Sequence, residues 1–139
     1  MTKIYYEEDA DREILAQETI AVVGYGNQGR SWALNLRDSG CPVQVCVRAD
    51  ETRERAREDG FAVGPVEQAA DASAVCILVP DDAIAGLGLV GGPDRLTVVA
   101  SGYALAYGRF RPEGDVGMIA PRMLGPEVRR CYEEGEGFI

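Results

Sequence analysis

The chain contains no histidine among its 139 residues. That absence excludes imidazole acid–base catalysis and imidazole metal ligation, and with them most hydrolytic mechanisms. Positive charge is also scarce: 14 Lys and Arg stand against 23 Asp and Glu, a formal net charge of -9. Binding to nucleic acid or to an anionic membrane needs clustered cations that displace counterions, so neither partner is expected. Any anion must be held by local geometry instead. No apolar run approaches the ~18 residues that span a bilayer. The start, MTKIYYEEDADRE, is too acidic and polar for a signal peptide. A cytoplasmic protein is expected. The cysteines Cys41, Cys46, Cys76 and Cys131 show no C-x-x-C spacing, and two of them lie inside apolar runs, which reads as reduced structural thiols.

What is present is ordinary globular composition, 46% apolar and 27% charged, with no low-complexity tract or internal repeat. A chain of this length buries about two-thirds of its unfolded surface and needs no disulfide or metal staple. Apolar runs alternate with polar, helix-patterned segments. Strands are expected at residues 19–25, 43–48, 61–63, 74–79, 96–100 and 116–120, and helices at 27–39, 51–59 and within 65–72. Four glycines and a proline in 81–96 limit any helix there to about residues 82–87. Near-continuous apolar strands separated by helices mean a parallel sheet covered on both faces. The expectation is a single domain, residues 1–139, of doubly wound α/β type with a mostly parallel, Rossmann-like sheet.

Gly24, Tyr25, Gly26, Asn27, Gln28 and Gly29 fit G-x-G-x-x-G, with a strand before, an amphipathic helix after, and a second strand ending in charged residues about 20 positions on. In that setting the glycines allow a tight turn and close backbone approach to a pyrophosphate, whose charge meets the helix N-terminus. The loop after the second strand carries both signs. Asp50 and Glu51 suit the ribose hydroxyls of NAD, while Arg48 and Arg53 suit the 2′-phosphate of NADP, so NAD is favoured with NADP open.

Several motifs add specificity: KIYYEEDAD at 3–11, GYGNQG at 24–29, ALNLRDSG at 33–40, VPDD at 79–82, IAPR at 119–122 and VRRCYEEGEG at 128–137. Together they resemble the N-terminal NAD(P)-binding domain of ketol-acid reductoisomerase, almost end to end. The resemblance implies that Tyr25, Gly26, Asn27 and Gln28 line the cofactor diphosphate and that Arg48 lies against the adenine. It places Asp50, Glu51 or Arg53 at the adenosine ribose, Asp81 and Asp82 beside the nicotinamide ribose, and Gly125 near the cofactor from the last loop.

The departures from that family's pattern bear on chemistry. Its A-H-G-F is Ala100-Ser101-Gly102-Tyr103 here, and its A-P-K-G-P-G is Ala120-Pro121-Arg122-Met123-Leu124-Gly125. The family's helical C-terminal domain, which supplies carboxylates for two magnesium ions, has no counterpart in these residues. The acidic runs 7–9 and 133–134 read as solvated surface, and no metal site is expected. Hydride transfer without metal-dependent isomerisation is therefore expected, on a carbonyl or imine of a small, carboxylate-bearing substrate. Arg122, Ser101 and Tyr103 are the candidate catalytic groups. Tyr103 and Tyr107 also have the spacing of residues that merely pack on one helical face. An open single-domain cleft suggests a homodimer, joined through an apolar patch at residues 86–90 or 135–139. The alternatives are a dinucleotide-binding module without turnover and an enzyme whose substrate is itself derived from a dinucleotide.

Overall fold

The computed structural model describes residues 2–89 and 92–136; residues 90 and 137–139, on which the two expected dimer patches partly fall, lie outside the described residues. The chain runs α1 (Arg12–Gln17), β1 (Ile20–Val23), α2 (Asn27–Asp38), β2 (Val43–Cys46), α3 (Glu51–Glu58), β3 (Ala62–Gly64), β4 (Ala74–Ile77), α4 (Asp81–Ile84), β5 (Leu96–Val99), α5 (Tyr103–Ala106), β6 (Asp115–Met118) and α6 (Gly125–Glu134). The six strands form one sheet in the order β3-β2-β1-β4-β5-β6. All pairs are parallel; Ile20 registers with Val43 on one side and Ala74 on the other. This is the doubly wound, Rossmann-like α/β fold. Its direction of winding reverses between β1 and β4, which opens a crevice at their carboxyl ends.

β1 is the centre of the core because it is buried on both faces. Ile20 and Val22 pack with Trp32, Leu34, Phe61 and Val128 on the α2/α3/α6 side. Ala21 and Val23 point the opposite way, to Val66, Ile77, Ile84 and Phe110. The alternation follows from the two-residue period of a strand. Cys46 and Cys76 sit in this core, where burial pushes their thiols up to about 11 and about 12, so they are neutral and unreactive at pH 7.

Local chemistry accounts for the helix ends. Asp50 caps α3 by accepting from the Thr52 N–H, Glu51 and Glu54 occupy its first turn, and Arg55 and Arg57 its last, matching the helix dipole. Only Ala56 of α3 is buried, so α3 lies on the surface. α6 opens with Pro126 in its first turn and closes on Gly135 at φ 68°, a left-handed cap. It docks along α2 through Arg129 to Asn35 (2.9 Å) and Asp38 (2.6 Å), and through Tyr132 to Ser39 (2.8 Å).

One segment differs from expectation, and the glycine-rich one follows it. The expected helix within 65–72 is a 3₁₀ turn, Val66–Asp71, because Pro65 presets its start and there is no room for a further turn before β4. The stretch after β4 makes α4, then a 3₁₀ turn at Ala85–Leu87, and stops at Gly88 with φ 66°. α1 was not anticipated from the sequence; none of its residues is buried, so it carries no strong apolar stripe.

Candidate functional site

The turn between β1 and α2 is built by three glycines with three different jobs. Gly24 has φ 96°, and a Cβ on it would stand 2.7 Å from the Leu78 carbonyl oxygen. At Gly29 a Cβ would stand 2.1 Å from the Gly24 carbonyl oxygen. Both positions therefore require glycine in order to fold. Gly26 is different: a Cβ there would meet nothing within 4 Å. Its bare Cα faces open space at the N-cap of α2, where unpaired N–H groups and the helix dipole favour an anion.

That space is a cleft of about 430 Å³ lined by Gly24, Gly26, Arg48, Asp50, Val79 and Asp82, among others. A second cavity of about 340 Å³ adjoins it past Arg48, bounded by Ala49, Arg53, Pro65, Glu67 and Leu87. Together they run from the glycine turn across the end of β2, an elongated shape suited to a dinucleotide. Asp50 Oδ1 accepts from the Thr52 N–H (2.9 Å) and hydroxyl (2.6 Å), which with the nearby arginines holds its carboxyl below the usual carboxylate range. Arg53 donates to the Val47 carbonyl at 3.1 Å, and its Nε is buried without a hydrogen-bond partner among the described residues. Arg48 is exposed at the junction of the two cavities, and Glu51 is exposed at the start of α3.

Tyr25 borders the cleft, yet its ring is buried at 2% exposure. It lies edge-on to Phe61 with centroids 5.9 Å apart, and its hydroxyl donates to Asp59 Oδ2 at 2.9 Å. Burial, reinforced by that carboxylate, pushes the phenol above its ordinary range. Arg30 grips both oxygens of Asp59, at 2.7 and 3.0 Å, and this pairing holds the Asp59 carboxyl below its usual value. Asp59 was not anticipated from the sequence. The available signal was an acid at the C-terminal end of α3, where the helix dipole disfavours it unless a cation is paired with it. Gln28 likewise turns away from the cleft: its Nε2 donates to the Met123 carbonyl (2.9 Å) and its Oε1 accepts from Trp32 Nε1 (3.1 Å). Gly125 is buried behind the same turn, where a Cβ would stand 2.0 Å from the Asn27 carbonyl oxygen.

The other candidates gather at the carboxyl ends of β4, β5 and β6. Ser101 donates to Asp81 Oδ2 at 3.1 Å and accepts from the Tyr103 N–H at 3.2 Å. Tyr103 is 40% exposed, stacks on Tyr107 with ring centroids 4.7 Å apart, and carries the Arg109 guanidinium 5.3 Å from its own centroid. Arg122 follows β6; it is exposed and has no ion pair among the described residues. The geometry thus brings Ser101, Asp81 and the Tyr103 N–H into one hydrogen-bonded group, while Arg122 follows the neighbouring strand, β6.

The family described as acetohydroxy acid isomeroreductase, NADPH-binding domain, matches residues 14–139. A ketol-acid reductoisomerase (NADP(+)) from Caldivirga maquilingensis is 41% identical over 145 residues, covering 99% of this chain and 44% of that protein. The chain belongs to the ketol-acid reductoisomerase family.

The solved structure of an NADH-preferring ketol-acid reductoisomerase from an uncultured archaean is similar throughout, with a TM-score of 0.88 and 34% identity over 99% of this chain and 46% of that one. The chain therefore spans less than half the length of these ketol-acid reductoisomerases. An imine reductase variant from Myxococcus stipitatus shares the fold, with a TM-score of 0.63 at 16% identity over 79% of this chain and 41% of its own.

Proposed function

We propose that this chain binds a nicotinamide dinucleotide along the β1/β4 crevice and takes part in reducing a carbonyl or imine on a small, carboxylate-bearing metabolite. The observation that carries the reading is the open Cα of Gly26 at the α2 N-terminus, flanked by two glycines that the fold itself requires. The residues fit the group: a diphosphate meets the helix N-terminus, and the adenosine half meets Arg48, Asp50 and the unpartnered Arg53 Nε. When bound, the reduced nicotinamide supplies a hydride to the acceptor carbon. The protein's task is to orient that acceptor and to provide a proton for its oxygen or nitrogen.

Arg122 is suited to hold the substrate carboxylate, since its guanidinium can meet a carboxylate with two parallel hydrogen bonds and it has no ion pair among the described residues. Tyr103 is the proton source we favour, being 40% exposed at the start of α5, after the end of β5. The Ser101 hydroxyl already spends its proton on Asp81, so its part is to orient the start of α5. Asp50 Oδ2 is not used in capping α3 and supports NAD through the ribose hydroxyls, while Arg48 and Arg53 keep NADP in play. Among the described residues no group of three His, Cys, Asp or Glu side chains is arranged to hold a metal ion. The contribution proposed for these residues is to the reduction, without the metal-dependent migration. Among the described residues no helix is long and apolar enough to cross a membrane. We place the protein in the cytoplasm as a homodimer whose second copy shields the nicotinamide from water.

A second reading follows from the exposure of the reactive end, where Tyr107 is 69% and Met118 62% accessible: a module that binds the dinucleotide without turnover. A third takes a dinucleotide-derived molecule as substrate. Anaerobic mixing with NADH or NADPH and a panel of 2-keto acids and imines separates them. Loss of the reduced-nicotinamide absorbance, slowed at least about tenfold in Arg122→Ala, supports the reductase. Tight binding with no oxidation across the panel supports the module, and a product altered outside the nicotinamide supports the third reading.

A further inference from the structure

The side chain of Gln28 occupies the third x position of the glycine motif, yet it points away from the crevice and into the α2/α6 seam. Its amide is oriented without ambiguity. Indole Nε1 is only ever a donor, so Trp32 must face Gln28 Oε1, at 3.1 Å, which leaves Gln28 Nε2 to donate to the Met123 carbonyl at 2.9 Å. The contact is reinforced beside it, where the first residue of α6, Gly125, lies so close to Asn27 that a Cβ would stand 2.0 Å from its carbonyl oxygen. Met123 directly follows Arg122, and the next residue, Leu124, accepts the first hydrogen bonds of α6, from the Glu127 and Val128 N–H groups at 3.0 and 3.1 Å. One side chain thus ties the anion-binding turn of α2 to the segment that carries Arg122.

We infer that Gln28 is a positioning residue that couples the glycine turn to the Arg122 segment, so that an anion held at the α2 N-terminus fixes Arg122 beyond the end of β6. The coupling to a bound dinucleotide rests on the function proposed above; the brace between Gln28 and Met123 does not. Trp32, the one tryptophan of the chain, shares the Gln28 amide and reports its state.

The test is amide hydrogen exchange and Trp32 emission on the full chain, for wild type, Gln28→Leu and Gln28→Glu, without ligand and with NADH or NADPH. Without ligand, Gln28→Leu is expected to speed exchange at Glu127 and Val128 by roughly tenfold, the loss of one partly buried hydrogen bond, while Val22 and Val45 in the sheet are unchanged. Gln28→Glu keeps the acceptor for Trp32 but has no proton for the Met123 carbonyl once ionised. Its exchange at Glu127 and Val128, corrected for intrinsic rates, is expected to be fast at pH 8 and to slow towards pH 5, a profile wild type lacks. Rates within twofold of wild type in both variants, or a flat profile in Gln28→Glu, overturn the brace. With NADH or NADPH, protection of residues 24–29 is expected to extend to Glu127 and Val128 in wild type but not in Gln28→Leu. Equal extension in both, or none in wild type although residues 24–29 are protected, overturns the coupling. If neither dinucleotide protects residues 24–29, the proposed function fails, and the ligand-free variants still decide the brace.

Discussion

The two ends of the crevice are built to different standards. Around the glycine turn Tyr25 and Arg30 are committed to Asp59, Gln28 to Met123 and Asp50 to Thr52. At the β5/β6 end, Tyr107, Met118 and Ile119 stand more than half exposed, and Arg122 has no ion pair among the described residues. The difference separates a turn whose side chains are tied to one another from a strand-end surface that stands open. On the function proposed above, the first would hold the diphosphate and the second would face the substrate.

The largest effect comes from attacking the over-determined end. Gly29→Ala places a methyl 2.1 Å from backbone, which no side-chain adjustment relieves, so a loss of about 3 kcal/mol or more is expected in urea unfolding, together with loss of dinucleotide binding.

Asp59→Asn is next. It leaves Arg30 without its bidentate partner and should cost about 2 kcal/mol at pH 7. The sign of its pH dependence follows from the lowered folded-state pKa of Asp59, caused first by Arg30. The stabilisation is fully present above the unfolded value, near ~3.9, and is lost as pH falls through the folded value. The gap between the urea midpoints of wild type and Asp59→Asn should begin to narrow only as pH falls below about 4 and close below the lowered folded-state value, and a gap that does not narrow over that descent would refute the assignment.

Gly26→Ala sharpens the contrast within the turn itself. With nothing within 4 Å of the added methyl, stability should stay within about 0.5 kcal/mol. Titration with NADH should nevertheless show at least about tenfold weaker binding, because the methyl occupies the path of the diphosphate. At the open end the smallest change is expected: Tyr107→Ala, 69% exposed, should alter stability by less than about 0.5 kcal/mol, and a larger loss in thermal melts would mean that this end is packed more tightly than its exposure shows.

The sheet and the glycine turn were legible because both write directly into residue type. A strand buried on both faces must be apolar at every position, as Ile20–Val23 is, and a positive φ at Gly24 demands glycine. The Tyr25–Asp59–Arg30 group was not legible, since its members come from three elements and meet only once α3 has packed beside α2. Gln28 shows the converse. Its place in the motif points to the diphosphate, while its partner is a backbone carbonyl 95 residues away, and a carbonyl leaves no mark in a sequence. The 3₁₀ turn at Val66–Asp71 was foreseen as an α-helix because both share the same apolar spacing over so few residues.

β6 ends the sheet among the described residues, and its outer N–H and C=O groups have no strand beside them. It is four residues long, begins with Asp115 and is interrupted by Gly117, between Val116 at 45% and Met118 at 62% exposure. Short length, a charge and a glycine are the usual defences of such an edge against strands from other chains. Asp115 and Gly117 therefore act against pairing along this rim, and a β-branched residue at either position is expected to make the edge more receptive to a strand from another chain.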